Sequence, residues 1–128
     1  MININSNIRI NHAAINRIKQ NNIKALEMTA EALKTEVINS QRVPKNTGAL
    51  QNDITVNKKH SNKGHVSLDQ TLDYSRRVYF HPEWNFNKTK NANAQGLWYD
   101  YWIKGRGRNF CRDTFAEFSR RLNRMGGI

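Results

Sequence analysis

The residues best suited to metal or nucleophilic chemistry are four histidines and one cysteine, and their spacing predicts no site. His12, His60, His65 and His81 form none of the paired patterns that hold zinc, and Cys111 has no second thiol beside it. His60 and His65 flank a short polar loop, where a metal ion is the alternative to plain solvent exposure. Since a lone cysteine cannot form an intrachain disulfide, we expect Cys111 to be a small residue on the apolar face of a helix.

Carboxylates beyond the first predicted helix are scattered along the chain, which argues against a metal-dependent nuclease. Such an enzyme needs clustered acids around a divalent ion, and only a spatial grouping of Asp69, Asp73 and Glu83 could supply them. The stretch KGRGR follows no buried strand and lacks the lysine–hydroxyl ending of a phosphate-binding loop, and no serine stands in a nucleophile elbow. We therefore predict no catalytic residue, no metal and no cofactor.

Positive charge dominates the composition, with 21 Lys and Arg against 10 Asp and Glu and a formal net charge of +11. Such a charge favours polyanions through counterion release and long-range attraction. The glycines of KGRGR suggest a mobile backbone, and the alternative to phosphate contact there is a solvated linker. The residues predicted to face DNA or a channel are Lys104, Arg106 and Arg108 in KGRGR, and Lys58, Lys59 and Lys63 at the tip of a hairpin.

Aromatic residues crowd the stretch WYDYW, which contains Trp98, Tyr99, Tyr101 and Trp102. These rings could stack on bases, as in proteins that bind single strands. Trp and Tyr more often lie in a core or at a protein interface, and the imperfect alternation of this stretch predicts that some rings face a neighbouring subunit. We therefore predict a subunit interface that also includes Phe86.

Hydrophobic periodicity predicts one α+β domain over residues 1–128, with a long N-terminal helix packed on a mainly antiparallel β-sheet and a C-terminal helix. Leu72–Phe80 fits either a strand or a helical turn, and Glu83–Ala94 is predicted to be an extended polar loop. A strand is predicted over 2–10, and a helix capped by Asn11 from about His12 to Ser40. Two further strands are predicted at Ile54–Lys59 and His65–Asp69. The last predicted helix ends at Gly126–Gly127, and its apolar stripe consists of Cys111, Phe115, Phe118 and Leu122.

The stretch VPKNTGAL, Val43 to Leu50, connects the long helix to the hairpin. Pro44 is predicted to end the helix, because proline disfavours a helical residue before it and cannot continue the hydrogen-bond ladder. Thr47 is predicted to cap a helical turn over 49–52, and Gly48 to allow a tight turn. Leu50 would then pack down onto the long helix.

Two motifs, in this order, resemble small minor capsid or head–tail joining (neck) proteins of tailed bacteriophages. The resemblance spans roughly residues 12–122, and it departs where many relatives have a glycine-bearing E-F-G-T turn and this chain has Tyr79-Phe80-His81-Pro82. The first motif, V-P-x-x-T-G-x-L, is carried by Val43, Pro44, Thr47, Gly48 and Leu50, with a tyrosine segment at Tyr74 and Val78–Phe80. The second, F-N-x-x-x-N-x-x-A-x-G-x-W, as in the branch from phages of Gram-positive bacteria, is carried by Phe86, Asn87, Asn91, Ala94, Gly96 and Trp98.

The resemblance implies a structural subunit without catalysis. It would assemble as a ring that links the portal side of a DNA-filled head to the tail, or that closes the tail end. Its partners would be copies of itself, neighbouring portal or adaptor and tail proteins, and non-specifically DNA. It would be made in the host bacterial cytoplasm, without membrane association, and end in the virion. The alternative left by composition is a free basic nucleic-acid-binding protein.

Overall fold

Helices dominate the part of the chain that the structure, a computed structural model, describes: residues 11–45 and 48–125. In chain order the elements are α1 (His12–Asn39), α2 (Ala49–Asn52), β1 (Thr55–Asn57), a 3₁₀ turn (Ser61–Lys63), β2 (Ser67–Asp69), α3 (Ser75–Tyr79), α4 (Asp100–Ile103) and α5 (Phe110–Met125). The predicted α+β class is confirmed, although the antiparallel sheet of the described residues is small, with two strands. The predicted strand over 2–10, Thr47 and the Gly126–Gly127 ending lie outside the described residues.

The helix α1 begins where the sequence predicts. The Asn11 side-chain oxygen accepts a hydrogen bond from the Ala14 N–H at 3.0 Å, as an N-cap does. The helix has 28 residues, which gives it a length of about 42 Å. Its buried residues are Ala25, Thr29, Ala30 and Val37. Because these side chains are small or short, the hairpin and α5 can pack close to the axis of α1.

The end of α1 has a different cause from the one predicted. Gln41 has a φ of 58°, in the left-handed region, so the chain leaves the helix before it reaches Pro44. The Gln41 N–H donates to the Ile38 carbonyl at 3.2 Å, and the Ser40 hydroxyl donates to the Val37 carbonyl at 2.6 Å. These bonds satisfy carbonyls of the last turn, and the prediction that Pro44 stops the helix is wrong.

The strands β1 and β2 form the predicted antiparallel hairpin. Their register pairs Thr55 with Asp69, Val56 with Leu68, and Asn57 with Ser67. The loop between them contains the 3₁₀ turn and Gly64, whose φ of 81° is left-handed. The Asp69 carboxylate accepts hydrogen bonds from Asn57 Nδ2 at 2.9 Å and from Ser67 Oγ at 2.8 Å, which lower the pKa of Asp69.

A second carboxylate fixes the chain between the hairpin and α3. Asp53 accepts hydrogen bonds from the Leu72 N–H at 2.9 Å, from the Thr71 hydroxyl at 3.0 Å and from the Thr71 N–H at 2.6 Å. Because these bonds favour the ionised form, the pKa of Asp53 lies below its usual value. The segment that follows is helical at Ser75–Tyr79, which decides between the two structures that the sequence allowed for it.

The hydrophobic core lies between α1, α2, the hairpin and the aromatic stretch. Its buried residues are Val37, Val43, Leu50, Ile54, Trp98 and Trp102. Val43 and Leu50 are 0% and 7% exposed and share this core with Val37, so Leu50 packs against α1 as predicted. Gly48, at a φ of 89°, stands at the N-cap of α2, where Thr47 was expected to act.

The asparagine-rich segment 83–94 is a loop, as predicted, but it is folded against the domain rather than extended. Asn91 and Ala94 are 4% and 2% exposed. The Asn91 side-chain amide donates to the Val43 carbonyl at 2.7 Å and to Gln51 Oε1 at 3.0 Å. The two motifs that carry the family resemblance therefore contact each other.

A close crossing of two backbone segments follows at Gly96. A Cβ there would lie 2.6 Å from Pro82 Cα, so no side chain fits without a backbone shift. Leu97, with a φ of 49°, donates its N–H to the Tyr79 carbonyl at 2.8 Å. This crossing positions Trp98 so that its ring enters the core.

The C-terminal helix α5 packs back along α1. Ser119 Oγ donates to Asn22 Oδ1 at 2.6 Å, and Asn21 Nδ2 donates to Asn123 Oδ1 at 2.9 Å. The predicted apolar stripe is partly buried along its length, and burial raises the pKa of the Cys111 thiol. Because no residue of α5 is fully buried, this helix covers α1 incompletely.

We expect Gly96→Ala to destabilise the fold by about 1–3 kcal/mol, because the added methyl group overlaps the Pro82 backbone. Gly64→Asn is the matched control: no atom lies within 4 Å of a Cβ at Gly64, and asparagine tolerates its left-handed φ. Urea denaturation of both variants measures the difference. Equal free energies of unfolding for Gly96→Ala and the wild type would contradict the close crossing.

Candidate functional site

The aromatic stretch does not form the surface that the sequence predicts. Trp98 and Trp102 are 1% and 7% exposed and belong to the core of the chain itself. The Trp98 ring packs edge-on against Tyr79 at 4.8 Å between ring centroids, and Trp102 packs in the same way against Tyr101 at 5.0 Å. Trp98 and Trp102 are therefore core residues, which leaves little of either ring exposed for the contact with a neighbouring subunit that the sequence predicts.

Tyr99 is held inside the domain by Gln70. Gln70 Oε1 accepts hydrogen bonds from the Tyr99 hydroxyl at 2.8 Å and from Trp98 Nε1 at 3.2 Å, and its Nε2 donates to the Leu50 carbonyl at 2.8 Å. Burial raises the pKa of Tyr99 to about 12, so its hydroxyl remains a donor at neutral pH. One side-chain amide thus joins α2, the segment after β2 and the aromatic stretch.

The KGRGR stretch is a packed turn, so the mobile backbone suggested by its glycines is wrong. The N–H groups of Gly105 and Gly107 donate at 2.9 Å to the carbonyls of Asp100 and Tyr101. A Cβ at Gly105 would lie 2.9 Å from the Tyr101 backbone, and one at Gly107 would collide with the Tyr101 ring. The Arg42 guanidinium lies over the same ring, 4.4 Å from its centroid. The glycines therefore serve close packing around Tyr101, which is partly buried.

The basic residues predicted to face DNA are all exposed but form two separate groups. The hairpin loop adjoins the N-terminal half of α1 and Lys58 reaches Glu31 further along the helix, whereas the KGRGR group packs beside the C-terminal end of α1. Lys58 Nζ lies 3.2 Å from Glu31 Oε1, and Lys104 Nζ lies 3.4 Å from Asp100 Oδ2. The other four of the six residues predicted to face DNA are Lys59, Lys63, Arg106 and Arg108.

Exposed aromatic rings lie around the short helix α3. Tyr74, Phe80 and Trp84 are 38%, 59% and 42% exposed. At helical spacing, positions 74 and 78 share one side of α3 and positions 76 and 80 the other, with Arg77 between them facing solvent. We call this the α3 surface; it consists of Tyr74, Arg76, Arg77, Phe80 and Trp84.

A shallow groove opens on each side of α3, and each has a volume of about 320 Å³. The Trp84 ring forms one wall of the first groove, where it stacks on His81 at 4.3 Å, and His81 Nδ1 lies 2.6 Å from Glu83 Oε1. The His81 hydrogen bond lowers the pKa of Glu83. Leu68, Tyr79 and Phe80 are among the residues of the second groove. Residues of the first groove are Pro44, Ala49, Leu50, Tyr74, Val78, Trp84 and Phe86, so the predicted interface residue Phe86 lies here.

A larger apolar groove of about 530 Å³ runs along the N-terminal half of α1, beside α5 and the hairpin loop. Ile15, at its outer end, is 50% exposed. We call it the α1–α5 groove; its apolar residues are Ile15, Ile18, Ile23, Leu26 and Phe115.

The three acids considered for a nuclease site are not brought together. Asp69 bonds to Asn57 and Ser67 within the hairpin, and Glu83 bonds to His81. Over residues 11–45 and 48–125, no group of three or more histidine, cysteine or acidic side chains is placed to hold a metal ion. In the same residues, no helix is both long and apolar enough to span a membrane.

Comparison with protein families, with curated protein sequences and with solved structures gives no match for this chain. The resemblance to phage neck proteins therefore rests on the two motifs, and the function that it implies is a proposal.

Gln70→Leu should destabilise the fold by about 2–4 kcal/mol, because it removes the acceptor of Trp98 Nε1 and of the Tyr99 hydroxyl and leaves both donors unsatisfied. The matched control is Gln20→Leu, the same change at an exposed position of α1. Thermal and urea unfolding report the loss. If both variants unfold like the wild type, the Gln70 amide does not hold the aromatic stretch.

Proposed function

We propose that the chain is a structural, non-enzymatic subunit of a bacteriophage or prophage neck. Copies would form a ring that connects the portal or head to the tail, or closes the tail end, around the DNA channel. One observation carries the proposal: the described chain leaves two separate apolar surfaces open, the α1–α5 groove and the α3 surface. A subunit of a stacked assembly contacts copies of itself within its ring and other proteins beyond it, which requires more than one such surface.

The structural roles of the motif residues support the same proposal. Val43, Leu50, Asn91, Ala94 and Trp98 are all buried. Asn91 ties the second motif to the first through the Val43 carbonyl. These five residues of the two motifs therefore serve the fold, as the residues of a motif that marks a common fold would.

Ring contacts between copies are assigned to the α1–α5 groove. It is the larger apolar surface, and Lys19 is the one charged residue among the described residues that line it. A basic chain can meet its own copies most easily where like charges are sparse. Neighbouring copies would therefore pack on Ile15, Ile18 and Leu26.

We expect Ile15→Glu to weaken ring formation by about tenfold or more, since a carboxylate would be buried in an apolar contact. Ile15 is already 50% exposed, so the isolated subunit should keep its stability. Ile103→Glu, at a residue that is 66% exposed and lies outside the groove, is the control. Mass photometry of the purified variants, with and without the assembled portal, measures ring formation. Rings that form equally well with both variants would exclude the groove as the contact.

Location in a particle is the stronger test, because an isolated subunit can remain monomeric until it meets its neighbours. Particles purified from a producing culture should contain the chain in a fixed number of copies, and a reconstruction should place it between head and tail. A protein that is missing from such particles, or that lies elsewhere in them, would end the proposal.

A free nucleic-acid-binding protein is the second candidate, favoured by two arginines on the KGRGR turn. Arg106 and Arg108 are exposed on a backbone held by packing, and no ion pair within the described residues neutralises them. Such fixed cations suit non-specific contact with phosphates.

For this candidate, replacing Arg106 and Arg108 with Gln should reduce the slope of log affinity against log salt by about 2, one unit per lost phosphate contact. The control is the same pair of changes at Arg120 and Arg124, which removes equal charge from α5. Fluorescence anisotropy on duplex DNA at several salt concentrations measures the slopes. Lack of binding at low salt, or equal slopes for the two variants, would rule out this candidate.

A further inference from the structure

We propose that the α3 surface binds an acidic segment of another protein that carries large apolar side chains between its carboxylates. The inference deepens the proposed function, on which it rests for the idea of a neighbouring protein, by naming the chemistry of that neighbour.

The shape of the α3 surface suits two apolar side chains. Two grooves of about 320 Å³ each lie on either side of one helical turn. Tyr74 and Trp84 border the first groove, and Phe80 borders the second. A groove of this size accepts a side chain such as leucine or phenylalanine, and two grooves separated by a helix fit two apolar residues spaced along one segment.

The charges on the α3 surface itself are two arginines. Arg76 is the one charged residue among the described residues that line the two grooves, and its guanidinium lies 5.9 Å from the Phe80 ring centroid. Arg77 faces solvent between the grooves. Of the nearby carboxylates, Glu83 is bound to His81, and Asp73 is exposed just before the helix. Arg76 and Arg77 thus make the ridge between the grooves basic, with one carboxylate before α3 and one after it, and carboxylates beside the apolar residues of a ligand would meet this ridge.

The same charge argues against a second copy of this chain as the occupant. In a two-fold pairing through α3, Arg77 of one copy would face Arg77 of the other. Each copy also has a formal net charge of +11, so association adds long-range repulsion to the local one. An acidic partner reverses both effects.

Contacts on both sides of α3 hold this helix in place. Hydrogen bonds from Thr71 and Leu72 to Asp53 fix the chain before α3, and the His81 stack fixes Trp84 after it. Ser75, on the inward side of α3, is 7% exposed. The exposed rings are thus presented by a helix that is anchored at both ends, which lowers the entropy cost of binding.

The test uses the full-length protein and a synthetic peptide of 14 residues, in which leucine and phenylalanine stand between flanks of glutamate. One control peptide keeps the glutamates and replaces both apolar residues with serine, and a second keeps the apolar residues and has glutamine flanks. NMR follows the three indole N–H signals, with Trp84 assigned from Trp84→Phe. The expected result is a saturable shift of the Trp84 signal with the first peptide, and an affinity at least about tenfold lower for either control peptide.

Charge-reversal variants provide the second comparison. Arg76→Glu with Arg77→Glu should weaken binding of the first peptide by about tenfold or more, because two attractive charges become repulsive. Arg120→Glu with Arg124→Glu changes the net charge equally on α5 and should weaken it less than about twofold. Both double variants should unfold like the wild type.

Several outcomes would overturn the proposal. If the serine peptide binds equally well, the α3 surface is only a non-specific polyanion site. If the Trp84 signal does not shift up to millimolar peptide, the α3 surface does not bind such a segment. A Trp84 shift that depends on protein concentration alone would assign the surface to a second copy of the chain. The particle experiment involves no peptide, so the two proposals can fail separately: peptide binding by a protein that is absent from particles leaves the α3 surface valid and the neck function refuted.

Discussion

Burial of the Trp98 indole is the constraint on which this fold depends. The described sheet has two strands of three residues each, so regular elements alone cannot enclose a core. Trp98 comes from a segment without regular structure, and it fills the space between Val37 of α1, Val43 and Leu50. Its position requires the backbone crossing at Gly96 on one side and the Gln70 amide on the other. Since a large indole buries more apolar area than any other side chain, losing it would remove much of the core.

The sequence predicts the elements of this molecule better than it predicts its surfaces. Periodicity located α1, α5 and the hairpin, because each has an apolar face that repeats at a helical or strand period. The end of α1 near Ser40 was predicted correctly, but its cause was missed, because Gln41 is left-handed, a conformation that is uncommon for glutamine and has no sequence signal. The packing of KGRGR was missed for a related reason: glycine permits close approach as well as mobility, and only the position of Tyr101 decides between them.

The aromatic residues show most clearly why exposure could not be predicted. The sequence places Trp98 and Trp102 next to Tyr99 and Tyr101, and the dense cluster suggested an interface. In the fold, a loop and the short helix α4 place Trp98 and Trp102 in the core, which no long apolar strand of the described residues is available to fill. The exposed rings come instead from the segment around α3, where Tyr74, Phe80 and Trp84 are spaced too irregularly for any one period to mark them. A surface of this kind is set by tertiary contacts, so the two faces of a short helix cannot be assigned before its neighbours are known.

The distribution of charge is easier to explain in an assembly than in a free nucleic-acid-binding protein. A free binder gains affinity by grouping its cations along one path, since each neutralised phosphate releases a counterion. Here exposed cations lie in separate groups, at the hairpin loop, on the KGRGR turn, on the α3 surface and along α5, and Lys58 and Lys104 are already paired with Glu31 and Asp100. The groups at the hairpin loop and on the α3 surface adjoin apolar grooves, as charges do at the polar rims of protein interfaces, where charge selects the partner and its orientation while apolar contact supplies the affinity. If the chain is such a subunit, its net charge of +11 would meet several acidic neighbours rather than one bound polyanion.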